Sequence, residues 1–170
     1  AYNLAVAFEN GRGVRQDDAE AIHWYQLSAE QGHAAAQFVL GNANKNGQGV
    51  PQDDAEAFRW YQVAAGQGHF GAQVNLARSY LEGFGVSQDY ELAHIWANRA
   101  VGHAPRDSRE ACIKLREQAE EHFSPSEILA LQKRAREWTQ ATGSATAPGP
   151  QNVENAVPNV DGHPLPPPQT

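Results

Sequence analysis

Methionine is absent from these 170 residues and cysteine occurs once. The single thiol, Cys112, closes no disulfide within the chain and completes no thiolate metal site. On a helix face it reads as a small apolar residue, since free cysteine is among the most buried residue types, with a reactive thiol or a bond to a part outside this stretch as the other readings. Without an initiator methionine, Ala1 is not expected to be where translation begins, so a leader or anchor upstream is left open. No apolar run approaches the roughly 20 residues that a bilayer crossing needs, which excludes a spanning helix from the residues shown. Positive charge is also scarce. The formal net charge of −7 divides into −5 over 1–105, zero over 106–142 and −2 over 143–170. With no basic stripe and no interleaved aromatics, nucleic acid is not an expected partner. Catalytic signatures are missing too: no G-x-S-x-G, no P-loop, no H-E-x-x-H and no paired-cysteine metal spacing. No catalytic residue, cofactor or metal site is therefore expected.

What the chain does have is self-similarity. The segment NGRGVRQDDAEAIHWYQLSAEQGH at 10–33 matches NGQGVPQDDAEAFRWYQVAAGQGH at 46–69, a period of 36 residues. A diverged third copy begins at Glu82 and keeps Gly83, Gly85, Val86, Gln88, Asp89, Ala93, Trp96 and Ala100 in register. Leu4, Leu40 and Leu76 share one register, as do Ala5, Gly41 and Ala77. Each copy carries the punctuation of two antiparallel helices. In the second copy the first helix runs from about Ala34 to Asn46, and Gly47 supplies the left-handed residue that closes it. Asp53 follows as N-cap with Glu56 as its capping-box partner, repeated by Asp17 and Glu20; Leu92 removes half of that box from the third copy. Ala57, Trp60 and Ala64 form one stripe of the second helix, with Tyr61 beside it, and Gly68 ends the copy.

These residues, from the leucine and small residue of the first helix through G-x-G-V-x-Q-D to A-x-x-W-Y-x-x-A-A-x-Q-G-H, resemble the Sel1-like repeat, a relative of the tetratricopeptide repeat. The resemblance covers 1 to about 104 and implies an all-α fold, a right-handed α-α superhelix, of bacterial type. Copy one starts inside its first helix. Ala97 stands where Tyr25 and Tyr61 stand, Pro105 where His33 and His69 stand, and Asn44 where Phe8 and Tyr80 stand. A buried Asn44 either finds a hydrogen bond or leaves a softer seam.

The domain reading follows: repeats over 1–105, a C-terminal helical capping hairpin over 106–142, and a tail over 143–170. A solenoid exposes its last apolar face unless a cap covers it. Asp107 with Glu110, and Ser124 with Glu127 ahead of Pro125, read as capping boxes of two cap helices. The first places Cys112, Leu115 and Ala119 on one face; the second places Ile128, Leu131, Ala135 and Trp138 on another. The tail holds 7 of the 10 prolines and no aromatic residue. Such a composition reads as disordered, and Pro164–Pro168 formally contains a P-x-x-P pattern.

Acidic pairs at 17–18 and 53–54, His33 and His69, and the recurring Trp24, Trp60 and Trp96 recur with the fold and read as caps, bends and packing, although an indole also suits a ligand. His23 and His94 find no ligand partner on their own helices. Residues that differ between copies on an accessible face are the candidates for recognition. The resemblance implies that the first helix of each pair lines a concave groove. On that helix Asn3, Val6 and Asn10 share a face, as do Val39, Asn42 and Asn46, then Asn75, Arg78 and Glu82, with Lys45 nearby. Asn amides suit an extended peptide backbone, and Arg78 or Lys45 a carboxylate; a solvated face is the plain alternative. Two functions stay open here. One is a non-enzymatic adaptor that holds a protein or peptide in its groove; the other is a cell-wall or β-lactam hydrolase like some disulfide-rich relatives, whose paired cysteines and S-x-x-K this chain lacks. The compartment is open, with the periplasm or exterior ahead of the cytoplasm.

Overall fold

The computed structural model describes residues 1–142, with side chains to 136, and the described residues form eight helices and no strand. They are α1 (Tyr2–Asn10), α2 (Asp18–Glu30), α3 (Ala34–Asn46), α4 (Asp54–Gly66), α5 (Phe70–Glu82), α6 (Tyr90–His103), α7 (Arg106–Glu120) and α8 (Pro125–Thr142). The expectations for the tail and for Trp138 lie outside the described residues. Helices pack mainly against their chain neighbours, as a solenoid requires, and both α7 and α8 lie against α6.

Each first helix ends where a glycine takes φ of 63° to 78°, at Gly11, Gly47 and Gly83. The chain then turns, and an aspartate in extended conformation opens the second helix. Asp17 Oδ1 accepts from the Ala19 and Glu20 amides, Asp53 from Glu56, and Asp89 from Leu92. The reciprocal half of the expected capping box is not made. The N–H of Asp17, Asp53 and Asp89 instead donates to the carbonyls of Phe8, Asn44 and Tyr80, at 3.1, 2.9 and 2.8 Å. That bond ties the second helix back to the first. It leaves Glu56 to pair with Arg59 at 3.2 Å, and it makes the loss of a glutamate at Leu92 inconsequential. Asp107 and Glu110 form no box either. α7 starts at Arg106 directly after Pro105, so Asp107 lies inside the first turn and Glu110 pairs with Lys114 at 2.9 Å. Ser124 and Glu127 do form theirs: the Ser124 amide donates to Glu127 Oε2 at 2.8 Å, and the Glu127 amide to Ser124 Oγ at 3.4 Å.

Alanines dominate the helix contacts, which lets the axes approach closely and leaves the aromatic residues to fill the space between repeats. Trp60 packs back into a cluster with Ala21, Tyr25, Ala36 and Leu40. Tyr61, Leu76, Tyr80 and Trp96 form the next cluster, which Leu115 and Ala119 of α7 complete. Cys112 is buried beside them, where burial pushes its thiol up. A buried glutamine stitches each repeat to the one before it. Gln37 Nε2 donates to the Ala29 carbonyl at 3.0 Å and Gln73 Nε2 to the Ala65 carbonyl at 3.4 Å. Their side-chain oxygens accept from Gln67 and from His103, so each amide is used at both ends.

Tyr61 also explains a small residue in α3. A Cβ built on Gly41 would meet Tyr61 Cε1 at 2.5 Å, inside a core with no room for the ring to retreat. Gly41→Ala is accordingly expected to cost about 1–3 kcal/mol despite the better helix propensity of alanine. Urea unfolding of the variant against wild type measures it, and an unchanged midpoint would contradict the close packing.

Candidate binding surface

The row of polar residues on α1, α3 and α5 divides into engaged and free members. Asn42 and Asn75 are half-buried and joined. Asn42 Oδ1 accepts from the Tyr61 hydroxyl at 2.8 Å and from Asn75 Nδ2 at 3.2 Å, so one acceptor ties α3, α4 and α5 together. Burial pushes the Tyr61 phenol up to about 12, which keeps it a donor at any physiological pH. Both amides therefore brace a tyrosine that is 1% exposed, so replacing either is expected to lower stability as well as to change the surface. Asn3, Asn46, Arg78 and Glu82 are exposed, while Val39 and Lys45 are half-buried. Lys45 Nζ stands 5.8 Å from the centre of the Phe84 ring, and Arg78 reaches close enough to Cys112 to oppose the rise of its thiol. Asn10 turns back onto its own helix, donating to the Val6 carbonyl at 2.9 Å.

The recurring side chains behave as structure. Trp60 and Trp96 are core residues, and His33 and His69 stack on Tyr2 and Phe38 with ring centres 4.5 and 4.6 Å apart. Among the described residues no three His, Cys, Asp or Glu side chains are grouped to hold a metal, and no helix is long and apolar enough to cross a membrane. Asn44 finds its hydrogen bond, to the Leu40 carbonyl at 2.9 Å.

Three register positions at the seams between repeats show where the copies part company. Between the first and second repeats they are Ile22, Asn44 and Gln48; between the second and third, Phe58, Tyr80 and Phe84; between the third and α7, His94, Arg116 and Glu120. The middle seam is aromatic, with Phe58 edge-on to Tyr80 at 5.3 Å. The last is ionic. His94, fully buried, donates from Nε2 to Glu120 Oε1 at 3.0 Å, and Arg116 Nε approaches the same oxygen at 3.4 Å. The first seam stays open. A cavity of about 580 Å³ lies there, bounded by Glu9, Asp18, Tyr25, Val39 and Asn42 among others. Tyr25 donates to Glu9 Oε2 at 2.6 Å, and burial followed by that carboxylate raises its pKa far above the usual range.

Sequence reasoning missed Glu9, Tyr25 and Asp18 as a group, and it missed the partner of His94. These are cross-helix pairings, whereas helix-face arguments see only neighbours on one helix. The 36-residue register was the available signal, since it places Glu9 where Lys45 stands and carries on through α7, with Cys112 in the place of Leu76.

The ionic seam titrates. Burial lowers the pKa of His94 and also of His69, with Glu120 partly opposing the shift at His94. With Nε2 engaged, a second proton on His94 would enter Nδ1, a buried atom without an acceptor. Above about pH 6.5 the ring is neutral in both folded and unfolded chains. Below that, the unfolded chain takes up protons that the folded one resists, so stability falls until the pH drops past the folded value. Urea midpoints are expected to decline from pH 7.5 to 5.5, and His94→Gln to shrink that decline. A wild-type midpoint that rises on acidification over this window would contradict the assignment.

Comparison with known proteins agrees with the geometry. A family model described as Sel1 repeat matches residues 1–33, 34–69 and 71–101. The chain is similar to a crystal structure of a Sel1 repeat protein from Oxalobacter formigenes, at 35% identity and a TM-score of 0.62, over 66% of this chain and 85% of that one. It is also similar to c5321, a protective antigen present in uropathogenic Escherichia coli strains that displays an SLR fold, at 27% identity and a TM-score of 0.54. That match covers 89% of this chain and 42% of the antigen, so the chain spans less than half of the antigen's length. No curated protein matches.

Proposed function

Because the chain belongs to the Sel1 repeat family, we propose that residues 1–105 form a non-enzymatic adaptor whose α1, α3 and α5 face holds an extended segment of a partner protein, with 106–142 as the cap of that array. Sel1 repeat proteins generally serve as protein-interaction scaffolds. One observation carries the finer reading: residues that recur are consumed by the core, while the row that varies from copy to copy keeps polar groups at the surface. Ala57, Trp60, Leu76 and Trp96 are buried, whereas Asn46, Arg78 and Glu82 are exposed on one side of α3 and α5. Asn3, Asn46, Arg78 and Lys45 supply unlike donors along the row, and Val39 an apolar step between them; Asn42 engages Tyr61 and Asn75 through its side-chain oxygen, which leaves its N–H donors to the row. The hydrolase reading rests on likeness to distant relatives alone, and nitrocefin turnover at stoichiometric protein tests it separately.

The test of the adaptor uses Asn46→Ala, Arg78→Ala and Glu82→Ala together, sparing the two asparagines that brace Tyr61. Partners are captured from a bacterial lysate with wild type, and peptides tiled from their sequences are titrated against both proteins. The triple variant is expected to melt within error of wild type and to lose binding by about 1–3 kcal/mol per well-formed charged contact removed. Undiminished peptide affinity in a folded triple variant would move the binding surface off this row.

A further inference from the structure

We propose that the open first seam is a receptor for one cationic side chain, the guanidinium or ammonium of an Arg or Lys carried by the partner segment. The proposal rests on the adaptor reading and specifies what the partner brings. The cavity lies between the first two repeats, where the turn of the second repeat approaches the start of α2. Its distinctive groups are two carboxylates, Glu9 and Asp18, with the Tyr25 hydroxyl on Glu9, the Asn42 and Gln48 amides, and Ile22 as an apolar wall. No Lys, Arg or His is among the residues that bound it, and neither carboxylate has an ion pair among the described residues.

The chain itself supplies the comparison. Thirty-six residues on, the middle seam has the same aspartate, as Asp54, but Lys45 stands in the place of Glu9 and Arg78 in the place of Asn42. Phe58 and Phe84 replace Ile22 and Gln48, and Lys45 lies over the Phe84 ring. The middle seam therefore has a cation of its own, Lys45, and aromatic rings where the first seam has smaller side chains. At the first seam the same backbone frame presents smaller side chains, an inverted charge and a cavity of about 580 Å³. That volume falls in the range of small-ligand sites, roughly 300–1,000 Å³, with apolar wall for an aliphatic stem and carboxylates for its charged end. An acidic partner side chain would meet only repulsion there, and an apolar one would strip water from two carboxylates without replacing it.

The test is 1H–15N chemical-shift mapping of the full chain with N-acetylated, C-amidated pentapeptides Ala-Ala-X-Ala-Ala, where X is Arg, Lys, Leu or Glu. The Arg and Lys peptides are expected to move the amides of Asp18, Ile22, Gln48 and Gly49 and to bind at least about tenfold more tightly than the Leu and Glu peptides, the equivalent of a charge-assisted hydrogen bond. Their affinity should fall with added salt. Glu9→Gln with Asp18→Asn is expected to remove that preference about tenfold, and Glu9→Lys, which installs the residue of the middle seam, to do the same. Circular-dichroism melts establish that each variant is folded, and should Glu9→Lys unfold for loss of the Tyr25 contact, Asp18→Asn alone still reads the charge. Equal binding of the Arg peptide to the folded double variant would overturn the proposal. So would shifts confined to the middle seam, silence of all four peptides, or N-acetylarginine amide binding as tightly as the pentapeptide, which would make the cavity a small-cation site. A Glu peptide that moves Asn46 and Arg78 while the first seam stays silent would overturn it too, yet leave the adaptor standing; partner capture by the row is an independent measurement.

Discussion

A glycine sets how closely the repeats stack. The second glycine of each turn lies against the first residues of the second helix one repeat earlier: a Cβ on Gly85 would run into the Asp54 carbonyl, and one on Gly49 would come within 2.8 Å of Ile22. Among the described residues, a Cβ on Gly13 meets nothing within 4 Å. Positive φ alone would favour glycine at these sites, but at Gly85 the close approach is the stronger constraint, because no rotamer change relieves contact with a backbone carbonyl. The hydrogen bond from the capping aspartate to the end of the first helix then fixes each hairpin, and the repeats stack on one frame.

On such a frame, side-chain identity at the seams is free to change. Ile22, Phe58 and His94 occupy one register, and the three joints they help to form are respectively open and acidic, aromatic, and ionic. The recurring core and the changing seams are thereby separated within one repeat. Alanines and tryptophans close the helix pairs, and the seam residues decide what the surface offers. Asn42 crosses that boundary, since one side chain both lines the cavity and anchors Tyr61 and Asn75.

Much of this was legible in the sequence. The bounds of α3, its left-handed Gly47, the aspartate caps, the cap at Ser124 and the buried face of α7 follow from spacing alone, because each depends on residues within a turn or two of one another. Pairings across helices were not. The Asp53 amide goes to Asn44 instead of to Glu56 because the packed first helix offers a free carbonyl, and the start of α7 moves to Arg106 because Pro105 already holds the extended conformation that precedes a helix. Tyr25 with Glu9, Asn42 with Asn75 and His94 with Glu120 join residues 16, 33 and 26 positions apart. Only the repeat register relates such distant sites.

The buried glutamines have a genetic consequence. Gln37 and Gln73 each reach upstream to a carbonyl in the last turn of the preceding helix, joining the N–H of Gly32 or Gly68 that it already accepts, and each lies inside the 36-residue module that it attaches. A duplicated module therefore arrives with its own upstream fastener and presents a fresh carbonyl to the next, so in-frame recombination between copies lengthens or shortens the array without mending either joint. At the corresponding place in α7 the residue is Arg109, exposed to solvent, where that copying rule stops.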